Sequence, residues 1–202
     1  MSKLILEYLR SGVECWPDSN YGDGYRCSAY LTDGTFIPCV MLRKSEPLVK
    51  LAIRRFEEEK KGNGVFGLFG SHSAYERIVK SFVTSGNKVN DYNIDRIEPS
   101  RFAIPLELMR KIEGETTMAW TGFAFEMMDG KLFSYGTSFG MEFFDLPDGY
   151  RFEDVIAVHN HSYVSPTGKL SSLVQGMSAQ PSDYDSSLVL RERPYFVCHY
   201  DA

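Results

Sequence analysis

Apolar and polar positions come close to alternating in YRCSAYLTDGTFIPCVMLRK, residues 25–44, where Tyr25, Cys27, Ala29 and Leu31 lead into Asp33-Gly34. A period of two predicts strands, and Asp-Gly between two such runs predicts a tight hairpin turn, because both residues tolerate positive φ. Pro38 places the second strand at a sheet edge or in a bulge, since proline has no amide to give a ladder. MAWTGFAFEMMDGKLFSYGTSF, residues 118–139, repeats this pattern around Asp129-Gly130 and predicts a second hairpin. Between the two hairpins the period becomes helical. PLVKLAIRRFEEEKK, residues 47–61, sets Leu48, Leu51, Ala52 and Phe56 on one stripe, and Gly62 and Gly64 end it. Ser73-x-x-Glu76 reads as a capping box for a second helix through Tyr75, Ile78, Val79, Phe82 and Val83, stopped by Gly86.

The remaining pattern predicts a short strand at Tyr92–Ile97, a short helix at Pro105–Glu113 and a strand over residues 141–150. Residues 153–161, EDVIAVHNH, are apolar and branched enough for a buried strand that ends at its histidines. Residues 162–187 are rich in Ser, Gly and Pro and predict a long loop, and RPYFVCHYD predicts a last strand. The fold expected is α+β: antiparallel hairpins and further strands with two or three amphipathic helices. One domain over residues 1–202 is expected, with lobes at 1–90 and 91–202 as the alternative.

Composition narrows the function classes. Of 202 residues, 43% are apolar and 24% charged, which is a globular balance and excludes wholesale disorder. The net charge of −5 gives no general attraction to phosphate backbones or anionic lipid, so neither nucleic acid nor membrane is an expected partner. Glu7 and Arg10 interrupt the first apolar run, which predicts no signal peptide and, with no long apolar stretch, a soluble cytoplasmic protein. Cys15, Cys27, Cys39 and Cys198 are too widely spaced for a Cys-x-x-Cys pair and are expected to be reduced thiols.

One constellation carries chemistry. His159 and His161 lie two steps apart on a strand, which puts both imidazoles on one face and lets them converge on one ion. Two His with one carboxylate and a water is a catalytic zinc arrangement, and Asp183 or Asp185, beyond the loop, supplies the carboxylate. VIAVHNHS followed by PSDYD resembles the zinc site of the JAMM metalloproteases, whose signature is His-x-His followed by Ser-x-x-Asp. That resemblance implies zinc held by His159, His161 and Asp185, with Ser182 beside the developing oxyanion or its water. It also implies a glutamate base, for which Glu126 is preferred to Glu115, and cleavage of peptide or isopeptide bonds.

GNGVFGLFG, residues 62–70, lacks the Gly-Lys-Ser/Thr of a phosphate loop and reads as a connector. Cys198 and His199 would face opposite sides of a strand, which disfavours a Cys–His pair. Apart from the histidines the chain carries few catalytic signatures. The function expected first is therefore a non-catalytic binding or adaptor protein with a protein partner; the alternative is a JAMM-like zinc hydrolase acting on a peptide substrate.

Overall fold

The computed structural model describes residues 1–62, 87–138, 140–174, 176 and 180–201. The helix expected from Ser73 to Gly86, His72 before it, and Gly64–Gly70 lie outside the described residues. The chain divides into two compact units, Met1–Pro99 with Tyr195–Ala202, and Ser100–Pro194. Its elements run in the order α1 Lys3–Gly12, β1 Cys15–Trp16, β2 Gly24–Leu31, β3 Phe36–Lys44, α2 Ser45–Gly62, β4 Asn87–Lys88 and β5 Ile94–Pro99. There follow α3 Leu106–Met109, β6 Thr121–Met127, β7 Leu132–Thr137, β8 Val155–Asn160, β9 Ser162–Val164, β10 Leu170–Ser172, β11 Val189–Arg191 and β12 Phe196–Tyr200. The architecture is mixed α+β and mostly β. No helix of the described residues is long and apolar enough to cross a membrane.

In the first unit the sheet runs β1-β2-β3-β12-β4, with β5 also on β2. Pairing is antiparallel for β1, β3 and β5 on β2, but β12 is parallel to both β3 and β4. The strand carrying Pro38 is therefore not an edge. Cys27 pairs with Val40 and Ala29 with Ile37, so Pro38 and Cys39 together oppose Ser28 in a bulge. The Ser28 hydroxyl donates to the Pro38 carbonyl at 2.9 Å.

Helix α1 begins at Ser2, whose Oγ accepts from the Ile5 amide at 3.3 Å. Its Ile5 and Leu9 are buried with Cys27, Ala29, Val40, Leu42, Ile94, Ile97, Cys198 and Tyr200. Each such aliphatic side chain contributes about 1.5–3 kcal/mol by leaving water. Along α2, Leu51 is buried while Val49 and Ile53 are exposed.

The second unit holds a sheet in the order β11-β7-β6-β8, with β11 parallel to β7, and a separate antiparallel pair β9-β10. Along β6, alternate side chains Phe123, Phe125 and Met127 enter a core with Ile104, Leu108, Tyr135, Phe144, Leu146 and Phe152. The Phe123 and Tyr135 rings stack at 5.4 Å, and Phe144 and Phe152 meet this group edge-on.

Both Asp-Gly turns differ from the expected two-residue form. Leu31 N–H donates to Thr35 O and Gly34 N–H to Leu31 O; Met127, Lys131 and Gly130 repeat this geometry. Each loop thus has three residues, and only the glycine, Gly34 at φ +86 or Gly130 at φ +80, is left-handed. Asp33 and Asp129 instead accept from the amides two residues on, at 2.9 Å each.

Three expectations change at the level of elements, and one strand is new. Strand β8 is not buried: it is an outer strand, and Ile156, the extra residue where Glu126 pairs with Ala157 and Met127 with Val155, is 61% exposed. The stretch 141–150 forms no strand, only a bridge from Phe144 to Glu192, although Phe143, Phe144 and Leu146 are buried. The expected loop 162–187 contains β9, β10 and a 3-10 turn at Ser186–Leu188. Strand β11, just after it, is an element the hydrophobic pattern did not reveal, because three residues are too few to show a period.

Two substitutions separate backbone strain from lack of space. A Cβ on Gly136 would stand 2.1 Å from the Trp120 ring, whereas Gly130 has open space around it but a left-handed backbone. Gly136→Ala should cost about 2–3 kcal/mol by overpacking and Gly130→Ala about 1–2 kcal/mol by backbone conformation, both read as shifts of the urea midpoint. The Tyr135 hydroxyl is buried with no hydrogen-bond partner among the described residues, and burial, with Asp145 nearby, pushes its pKa well up. Tyr135→Phe should leave stability unchanged or raise it by about 1 kcal/mol, since it removes a desolvated donor while keeping the ring.

Candidate functional site

The two histidines are carried by the end of β8 and the residue after it. Ala124 lies opposite His159 and Glu126 opposite Ala157, so His159 and Glu126 are diagonal neighbours on the sheet face away from the aromatic core. His159 Nε2 and Glu126 Oε2 are 3.0 Å apart. A carboxylate accepts, so Nε2 carries the proton and Nδ1 is the nitrogen left with a lone pair.

His161 is held differently. It lies past the end of β8 with φ +47, a left-handed conformation uncommon for a residue with a side chain. The corner is fixed on both sides. The Leu173 amide donates to the His161 carbonyl, and the imidazole spans two partners, Thr116 Oγ1 at 2.9 Å from Nδ1 and Glu113 Oε2 at 3.2 Å from Nε2. Thr116 is 1% exposed, and its hydroxyl also accepts from Gly122 N–H at 3.0 Å and lies 3.2 Å from Gly122 O. That hydroxyl has a single proton. Given to His161 Nδ1, it leaves an Nε2–H for Glu113 and a neutral ring; given to Gly122 O, it makes both imidazole nitrogens donors and the ring cationic against Glu113. The Glu113–His161–Thr116 line has the connectivity of an acid–base–hydroxyl triad. A hydroxyl this buried and this fully bonded has no face open to a substrate, so the line works as a pin for the β8–β9 corner.

The expected site residues therefore fall into separate groups. Glu126 and His159 meet. Ser182 is exposed in the turn from Pro181 to Tyr184. Asp185 caps the 3-10 turn at Ser186–Leu188, accepting from the Ser187 amide at 2.9 Å and the Ser187 hydroxyl at 2.6 Å; these bonds hold its carboxyl below the usual range. Asp183 accepts from the Tyr163 hydroxyl, which pushes that phenol's pKa up. Glu115 is exposed. Among the described residues no three His, Cys, Asp or Glu side chains are grouped so as to hold a metal ion.

A second feature lies in the first unit. Leu4, Ile5 and Tyr8 of α1 and Asp95, Arg96, Ile97 and Glu98 of β5 line an open cleft of about 450 Å³. Leu4 is 77% and Tyr8 42% exposed, one helical turn apart on the same face. On the opposite wall, the Arg96 guanidinium lies 3.7 Å over the Tyr30 ring and 3.3 Å from Glu98 Oε2, while the Tyr30 hydroxyl donates to Glu98 Oε1 at 3.3 Å. Asp95 is the extra residue where Tyr30 pairs with Arg96 and Leu31 with Ile94. The sequence held a signal for this cleft in α1, whose apolar positions 4, 5, 6, 8 and 9 make a wider stripe than a single core contact requires.

No protein-family model matches the chain, and comparison with curated proteins and with solved structures found no match.

The corner pin makes a definite prediction. Thr116→Val keeps the shape but strands the Gly122 amide and His161 Nδ1, and should cost about 2–3 kcal/mol in urea unfolding. Glu113→Gln, at an exposed position, should cost under about 1 kcal/mol.

Proposed function

We propose that this chain is a non-catalytic binding protein whose contact surface is the cleft between α1 and β5. The observation that carries this reading is the pair Leu4 and Tyr8, apolar side chains held in water on a structured helix beside a concave wall. Leu4 at 77% exposure adds little to the core, and recognition surfaces are where such residues commonly gather. The histidine region supports the same reading, because three of its four imidazole nitrogens are engaged by Glu126, Glu113 and Thr116 and the Thr116 hydroxyl is enclosed. Cys15, Cys27, Cys39 and Cys198 form no disulfide among the described residues, which suits a reducing compartment such as the cytoplasm.

A peptide-display selection against the full chain tests the reading. Selected ligands should perturb the backbone amides of Leu4–Tyr8 and Asp95–Glu98, and Leu4→Glu should abolish binding while leaving the circular dichroism unchanged. Selected ligands that bind Leu4→Glu as well as the parent protein would overturn it.

The JAMM-like zinc hydrolase is a second reading, favoured by one contact, that of the preferred base Glu126 with the first histidine ligand His159. It requires His159 to turn from Glu126 or to bind through Nδ1, and Asp185 to leave its cap. Metal analysis of protein purified without chelator separates the two. The binding reading expects no stoichiometric zinc, whereas zinc lost in His159→Ala would favour the hydrolase.

A further inference from the structure

Resting on the binding reading of this cleft, we infer that its occupant is a segment of a partner protein that presents an apolar side chain flanked by lysine or arginine. The inference starts from the charges around the cleft. The one cation lining it among the described residues, Arg96, is committed on both sides, stacked over Tyr30 and paired with Glu98. Glu98 is itself engaged by Arg96 and by the Tyr30 hydroxyl. The Asp95 carboxylate has neither a hydrogen bond nor an ion pair among the described residues, and it is exposed where the bulge interrupts the ladder. Among the described residues the wall therefore presents one uncommitted negative charge and no uncommitted positive one. The same cleft is lined by the apolar surfaces of Leu4, Tyr8 and Ile97. An apolar group fits the Leu4–Tyr8 side, and an ammonium or guanidinium beside it reaches Asp95 and can also lie against the Tyr8 ring.

The edge of β5 decides how the segment binds. Pro99 offers no amide and the Asp95 bulge interrupts the ladder, so only a short stretch of backbone could pair with an added strand. Recognition is thus by side chains, and weak affinity that depends on salt is expected.

The test uses the full chain and three acetylated, amidated hexapeptides: GKLFKG, its charge-reversed form GELFEG, and GKGGKG without apolar side chains. GKLFKG should shift the amide resonances of Leu4, Tyr8 and Asp95–Glu98, and the other two should bind at least about tenfold more weakly. Asp95→Asn should weaken GKLFKG about threefold at low salt and Leu4→Ala about fivefold; both positions are exposed, so folding is spared. Asp95→Lys should reverse the preference toward GELFEG. Equal binding of GELFEG and GKLFKG at the cleft of the parent protein would overturn the assigned chemistry while leaving the cleft a binding surface. GKLFKG binding unchanged by Asp95→Asn and Leu4→Ala would mean general attraction to an acidic chain and would overturn the inference. Shifts from none of the three would also overturn it, whereas the binding reading itself is tested separately, by whether display selection returns a ligand for the cleft.

Discussion

The alternation of side chains along β6 is the constraint on which the second unit depends. A strand sends successive residues to opposite faces, so Phe123, Phe125 and Met127 fill the core only if Gly122, Ala124 and Glu126 face the other way. A slip of one residue would drive large apolar groups into a face where Ala124 is already fully buried and put a carboxylate among aromatic rings. The core thereby fixes the register of β6 against β7 and β8. That register brings Glu126 beside His159, so their contact follows from packing on the opposite side of the sheet. The small residues on this outer face have their own consequence. With glycine at 122 and 136, Leu173 and the Trp120 ring come closer to the backbone than a Cβ there would allow.

The corner after β8 shows how a polar network can settle what hydrophobicity cannot. His161 takes a left-handed conformation that costs about 1 kcal/mol for a residue with a Cβ. It is held by the Leu173 amide on its carbonyl and by Thr116 and Glu113 on its ring. Thr116 in turn meets both backbone groups of Gly122 on β6, so the corner is tied to the sheet through one hydroxyl. A buried hydroxyl with every partner supplied specifies geometry strongly, because any displaced arrangement leaves a desolvated group unpaired.

How much of this the sequence disclosed follows from the range of the forces involved. The strand pairs at residues 24–44 and 121–137 and helix α2 rest on local periodicity and turn chemistry, which neighbouring residues carry. The parallel pairing of β12 with β3 joins positions far apart in the chain and leaves no local trace. Burial misled at β8, since Val155, Ile156 and Val158 suit a central strand as well as an outer one whose bulge exposes Ile156. Reading His159 and His161 as one face assumed that the strand continues through His161. It ends at Asn160, and the left-handed corner breaks the alternation. Glu126, singled out over Glu115 for its clearer strand context, lies beside His159, whereas Thr116, a common residue type with no motif around it, left no signal in the sequence.

The cleft of the first unit follows from a similar conflict between local and global demands. Helix α1 has more apolar surface than one sheet face can cover: Ile5 and Leu9 satisfy the core, and Leu4 and Tyr8 are left beside it. Helix geometry forces this, because residues at i and i+1 point about 100° apart and cannot both turn fully inward. Strand β5 in turn cannot close over the exposed pair. Its bulge at Asp95 lets Ile94 and Ile97 both enter the core, and the residues left outside are the charged Asp95 and Arg96. An apolar helix flank and a charged strand flank therefore lie side by side with no complementarity between them. What complements both at once is a ligand that is apolar on one side and cationic on the other.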